Sequence, residues 1–208
     1  MPAFFADREE AGHRLAESYH GPREDVLVLG IARGGVPVGQ PLATTLGGKL
    51  DVIVVRKLPI PYNPEAGFGA VAPDGSMVIN EEMMRSLRLP EDRIENIASR
   101  VLDEVLRREK AYRGDRPFPA LKGKNVVLTD DGLATGYTMI AAIKMARQLE
   151  PESVTVAVPV SPALTADRIK PMTDHFHCLY MSSHYPFAVA SFYRDFHDMT
   201  DEEIMRYL

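Results

Sequence analysis

A single cysteine, Cys178, stands in a chain of 208 residues, so no disulfide can form within it. A chain without such cross-links suits a reducing compartment, and the cytoplasm is the expected location. Positive charge is also short: 24 Lys and Arg face 29 Asp and Glu, for a net charge of −5. That balance lacks the electrostatic footprint of a nucleic-acid binder. Long apolar runs are missing too. The stretch from Val26 to Ala32 is far too short to span a bilayer. Met1 to Glu10 turns acidic at once, without the apolar core of a signal peptide. What is present is 45% hydrophobic content, enough for one sizeable core. A soluble single domain is expected over residues 1–208, with no nucleic-acid or membrane partner.

Strand and helix signals alternate along the chain. Asp7 to His20 reads as a helix, with Asp7 as its cap and Ala11, Leu15 and Tyr19 on one face. Val26 to Leu29 and Asp51 to Val55 are continuous apolar runs, as in strands buried on both faces of a parallel sheet. Between them Val36 to Leu46 looks helical, with Pro41 expected to disturb it. Leu58 to Gly69 carries three prolines and two glycines and reads as a loop, and Val78 and Ile79 as a short strand. Glu91 to Arg113 has apolar residues at helical spacing from Ile94 to Leu106. Its basic end (Arg107, Arg108, Lys110) reads as a solvated helix terminus. Strands at Ser153 to Val158 and Phe176 to Met181 and helices at Ala163 to Lys170 and Asp201 to Tyr207 complete the pattern. The alternation predicts a doubly wound α/β sheet, mostly parallel and flanked by helices.

The most informative run is Val126-Val127-Leu128-Thr129-Asp130-Asp131-Gly132-Leu133-Ala134-Thr135-Gly136-Tyr137-Thr138. A buried strand here delivers two carboxylates at its carboxyl end, and the turn and helix start behind it offer backbone N–H groups to an anion. A ligand with a vicinal diol and a phosphate, such as a ribose 5-phosphate, satisfies both halves. Alone, an acidic turn between strand and helix is equally a common α/β connection with an Asp cap. A second run, Leu29-Gly30-Ile31-Ala32-Arg33-Gly34-Gly35, follows the first buried strand. Its paired glycines let backbone approach a ligand, and Arg33 adds a phosphate-matched fork. Arg56 and Lys57 end the second apolar run and point to the same sheet edge. The stretch His175-Phe176-His177-Cys178 alternates as a strand would, and reads as structural rather than as a metal site.

The run from Val126 to Thr138 resembles the phosphoribosyl pyrophosphate (PRPP) motif of the type I phosphoribosyltransferases. It departs in having Gly132 where a larger aliphatic residue is usual, and a polar Thr129 at the strand end. Arg33-Gly34-Gly35 resembles the family's pyrophosphate loop, and with Val54-Val55-Arg56-Lys57 and the run from Asp130 to Gly136 it carries a closer resemblance to the uncharacterised bacterial and archaeal predicted members. The resemblance implies transfer of a 5-phosphoribosyl group from PRPP to an acceptor, usually a ring nitrogen of a base, with release of pyrophosphate. It assigns the 5-phosphate to Ala134, Thr135, Gly136, Tyr137 and Thr138, and pyrophosphate to Arg33, Gly34, Gly35 and Arg56. Asp130, Asp131 and Lys57 are the catalytic candidates. Mg²⁺ is implied on the substrate, with Asp130 and Asp131 its candidate protein donors. A mobile lid is implied at about 57–70 and a hood at about 182–196, where Phe187, Phe192 and Tyr193 are candidates to stack on the acceptor. A cis peptide is implied between Ala32 and Arg33, and a homodimer as the assembly. Ala134 stands where hypoxanthine-guanine members carry an Asp, which disfavours a 6-oxopurine acceptor. A sensor that binds PRPP or a nucleotide without turnover is the competing reading; the pyrophosphate loop and basic lid favour an enzyme.

Overall fold

The computed structural model describes residues 4–208, apart from the side chains of Pro64 and Glu65. Met1 to Ala3, and those two side chains of the expected lid, lie outside the described residues. The apolar runs form one parallel sheet: β1 (Val26–Ile31), β2 (Lys49–Ile53), β6 (Asn125–Thr129), β7 (Ser153–Pro162) and β8 (His175–Ser182). Their order is β2-β1-β6-β7-β8. Side chains alternate across it. Leu27, Leu29, Val126 and Leu128 face a core closed by α5 (Tyr137–Gln148), while Val26, Val28 and Val127 face α1 (Arg8–Glu17) and α2 (Gly35–Leu46). Burial on both faces explains why these strands read as unbroken apolar runs. The expected doubly wound architecture is the observed one.

The chain leaves β1 toward β2 on one side and leaves β6 toward β7 on the other. The crevice beyond the carboxyl ends of β1 and β6 is therefore the switch point of the sheet, where open α/β folds bind ligands. Both informative runs end there. Asp7 caps α1 as expected, accepting from the Glu10 amide at 2.8 Å.

Three expectations need correction. The proline-rich segment is not an irregular loop: β3 (Arg56–Ile60) and β4 (Asn63–Val71) form an antiparallel hairpin, joined by β5 (Met77–Ile79) in a second sheet. Pro59 is tolerated because β3 is an edge strand and its register shifts around that residue. Arg56 and Lys57 consequently open β3 rather than ending β2. Helix α2 also runs on through Pro41, which is buried. Two further helices follow the second sheet. The sequence reading missed α3 (Glu81–Leu87), which Asn80 caps, whereas α4 (Glu91–Arg113) has the expected bounds. Arg113 on α4 pairs with Glu109 at 2.6 Å and Asp51 at 2.7 Å, and Glu109 accepts from the Val54 amide at 3.0 Å. These buried bonds fix α4 against the carboxyl end of β2. The elements α6 (Ala163–Ile169) and α7 (Asp201–Met205) close the chain. Among the described residues, no helix is long and apolar enough to cross a membrane.

Candidate functional site

The two switch-point loops meet in direct backbone contact. A β-carbon added to Gly34 would fall 2.1 Å from Asp131 Oδ2, and one on Gly35 would fall 2.4 Å from the Thr129 carbonyl oxygen. Only glycine lets the Arg33-Gly34-Gly35 turn lie against the acidic pair. The Ala32–Arg33 peptide is cis.

Asp130 and Asp131 are held differently, as adjacent strand-end residues must be. Asp130 Oδ1 accepts from the Asp131 amide at 2.9 Å. Burial lifts the Asp130 carboxyl well above the usual carboxylate range, and the neighbouring Asp131 charge adds to the shift. Asp131 Oδ2 accepts from Arg8 Nε at 2.9 Å, and its carbonyl accepts from the Tyr193 hydroxyl at 2.6 Å. Burial raises the Asp131 carboxyl too, with Arg8 opposing it. Arg8 itself donates to the His197 carbonyl at 3.0 Å, and its guanidinium lies 4.0 Å above the Phe196 ring.

Behind the acidic pair, the turn from Gly132 to Gly136 opens α5. Thr165 Oγ1 donates to the Ala134 carbonyl at 2.8 Å, and Arg168 donates to the Thr135 carbonyl at 3.3 Å. In a trans peptide the following N–H points opposite to its carbonyl. The Thr135 and Gly136 amides therefore face away from α6, on the side of the helix start. Gly136 adopts φ +80 and leads into α5, whose first-turn amides have no intrahelical acceptors. The result is a run of outward N–H groups from residue 135 to 138. Gly132 has a packing reason for departing from the aliphatic pattern, since a β-carbon there would fall 2.6 Å from Val160 Cγ2 and 2.7 Å from Val189 Cγ1. Gly132→Ile is expected to overpack this contact and lower stability by about 1–3 kcal/mol. A denaturant melt checks it; an unchanged midpoint would mean that Val160 and Val189 yield freely.

A cavity of about 380 Å³ joins these parts. Asp131 to Thr138 form one wall, and Lys57, Ala66, Gly67 and Gly69 of the hairpin form the other. A second cavity of about 450 Å³ shares Ala134, Thr135 and Tyr137 and continues to Arg168, Tyr185, Pro186 and Phe187. Of the three aromatic candidates, Phe187 is the one that lines that cavity. Phe192 and Tyr193 pack instead into a core cluster with Phe5 and Val160, being 9% and 6% exposed. Ring-on-ring contacts such as Phe187–Phe192, at 5.3 Å, bury aromatic surface better than a solvent-facing stack would.

Arg33 and Arg56 approach the same edge, each against a carboxylate. Arg33 lies 3.8 Å from Asp201, and Arg56 pairs with Glu104. The Phosphoribosyl transferase domain model matches residues 6–196. The chain belongs to the phosphoribosyl transferase family. It is 38% identical over 205 residues to two Mycobacterium tuberculosis proteins provisionally named phosphoribosyl transferases. The match covers 98% of this chain and 46% of theirs, so the chain spans about half the length of those relatives. The crystal structure of TT1426 from Thermus thermophilus superposes with a TM-score of 0.79 at 40% identity, over 98% of this chain and 96% of that one.

The candidate site thus contains residues that the motifs did not reveal. Arg8, Thr165 and Arg168 all touch the acidic run or its turn, yet they come from α1 and α6. Arg8 follows a capping Asp at a helix start, where a solvated side chain is the ordinary expectation. His177, by contrast, pairs with Ser18 at 3.0 Å between β8 and α1.

Proposed function

We propose that this chain transfers a 5-phosphoribosyl group from PRPP to a nitrogenous base and releases pyrophosphate. The observation that carries the reading is the cavity shared by Lys57 and the run from Asp131 to Thr138, with Gly34 packed on Asp131. The outward amides from Thr135 to Thr138, with the Thr135 and Thr138 hydroxyls, suit the 5-phosphate. Ala134 supplies its backbone to the same turn. Asp130 and Asp131 suit the ribose hydroxyls. Arg33, the Gly34 and Gly35 amides, Arg56 and Lys57 suit pyrophosphate.

Such a transfer breaks the bond from the anomeric carbon to the pyrophosphate oxygen and forms one to the acceptor nitrogen. Positive charge develops on the sugar while negative charge grows on the leaving group. The residues answer each: carboxylates lie on the sugar side and guanidinium groups at the pyrophosphate end. Mg²⁺ fits this donor set as an ion carried on the substrate, because Asp130 and Asp131 follow the carboxyl end of β6 and lie against the Gly34-Gly35 turn. Bound, it would neutralise phosphate charge. The β3–β4 hairpin is the segment proposed to close over the substrate and exclude water. Phe187 is the ring proposed to meet the acceptor, which Ala134 steers away from 6-oxopurines.

Incubation with PRPP, Mg²⁺ and a panel of bases is expected to release pyrophosphate with at least one base. Tight PRPP binding with no release for any acceptor would instead identify a sensor, and no binding would reject the PRPP site itself.

A further inference from the structure

The charged side chains at the end of α4 do not all behave as a solvated helix terminus. Arg107 and Lys110 are exposed, but Arg108 turns inward, and its side chain keeps 17% of its accessible surface. Its Nε is closed off from solvent and, among the described residues, has no hydrogen-bond partner, while one terminal nitrogen lies 3.5 Å from Glu104. A buried guanidinium N–H without an acceptor is costly, and it marks a place where an acceptor is missing.

The neighbours define what that acceptor should be. Glu104, Arg108 and Tyr112 recur at four-residue spacing, so they form one stripe along α4. The two members that flank Arg108 both lead to the crevice. Glu104 holds Arg56, the first residue of β3, on the same oxygen that faces Arg108. The Tyr112 hydroxyl donates to Asp201 at 2.5 Å, and Asp201 is the partner of Arg33. Among the described residues, Arg33, Arg56 and Arg108 therefore share two carboxylates, one fewer than their positive charges. Arg108 and Arg33 also make Arg56 easier to deprotonate, with burial the larger cause, as expected when like charges crowd. Shared carboxylates are weak partners for a planar fork that could instead grip phosphate oxygens bidentately.

We infer that Arg108 is a third cationic ligand of the diphosphate group, presented by α4 beside Arg33 and Arg56, and exchanging its contact with Glu104 for a phosphate oxygen when the substrate binds. The inference rests on the PRPP reading above and deepens it: it adds a residue from outside the two switch-point loops. It makes selectivity for a diphosphate over a monophosphate a property of α4 as well as of the glycine turn.

Calorimetric titration of the full chain with inorganic pyrophosphate, and separately with ribose 5-phosphate, both in Mg²⁺ buffer, tests it. Arg108→Gln is expected to weaken pyrophosphate binding by about tenfold or more, the scale of a charge-assisted bond, and to leave ribose 5-phosphate binding within about twofold. Arg108→Lys should recover part of the loss. Unchanged pyrophosphate affinity in Arg108→Gln, with the wild type binding, overturns the role of Arg108 and leaves the PRPP reading standing. Equal weakening toward both ligands overturns it as well, because that is the mark of a structural residue. A wild type that binds ribose 5-phosphate but no pyrophosphate overturns the diphosphate site and Arg108 with it.

Discussion

Arg8→Leu is expected to lower stability at pH 7 by about 3 kcal/mol, the lower end for removing one partner of a buried ion pair. In a chain of this size that corresponds to a melting temperature lower by about 6–12 °C. Arg8 is 8% exposed, and its Nε lies 2.9 Å from Asp131 Oδ2. Leucine keeps much of the apolar stem over Phe196 but leaves the Asp131 carboxylate without its counter-charge. The sign of the pH dependence follows. Burial already raises the Asp131 carboxyl against the pull of Arg8, so removing Arg8 moves it further up. A carboxyl whose folded-state pKa exceeds its unfolded value binds extra protons in the native state, and stability then falls as pH rises through that window. The defect should be small at the acid end, grow with pH, and level off once Asp131 is ionised. Asp131→Asn in the Arg8→Leu background should restore most of the loss. Denaturant melts of the four proteins of this cycle, at pH 5 and pH 8, are the measurement. A defect equal at both pH values and not rescued by Asp131→Asn would assign the effect to packing on Phe196 instead.

That pair also shows where sequence reading stops. The strands were legible because burial on both faces leaves unbroken apolar runs, and the switch point follows once β1 and β6 lie side by side. The acidic run and the glycine pair were legible because each is contiguous. Arg8 and Asp131 are separated by 123 positions, and nothing local marks an arginine after a capping aspartate as a partner of a distant carboxylate. The hairpin was illegible for another reason. Pro59, Pro61, Gly67 and Gly69 weaken strand propensity, but an edge strand with shifted register needs no ladder bond from Pro59. The aromatic stretch near the C-terminal end failed on orientation: rings at alternate depths read alike, and the fold sends Phe192 and Tyr193 inward and Phe187 to a cavity wall. Arg108 was hidden by its neighbours, because three basic residues at a helix end look equivalent until the helix is docked.

Asp130→Asn is expected to move stability and activity in opposite directions. Asp130 is lifted well above the usual carboxylate range, by burial first and then by the Asp131 charge beside it. A carboxyl raised in the folded state opposes folding at neutral pH, and the native state of the wild type loses stability as pH climbs from the unfolded carboxylate value through the raised one. Asparagine removes that charge while its Oδ1 still accepts from the Asp131 amide, the bond that positions the side chain at 2.9 Å. The variant should gain about 1 kcal/mol at pH 7, within the range for relieving a functional strain, and should lack the wild type's downward slope. Transfer activity should fall by about 10²-fold or more, the scale of losing one preorganised charge at a reacting centre. In the wild type, the same titration should appear as a limb of kcat/KM that rises with pH above the usual carboxylate range. That limb should be shifted or missing in Asp130→Asn. Pyrophosphate release across pH, set beside thermal melts of both proteins, provides the comparison. A variant that is both less stable and fully active would mean that Asp130 serves the turn, and that the sugar's developing charge is met by Asp131 alone.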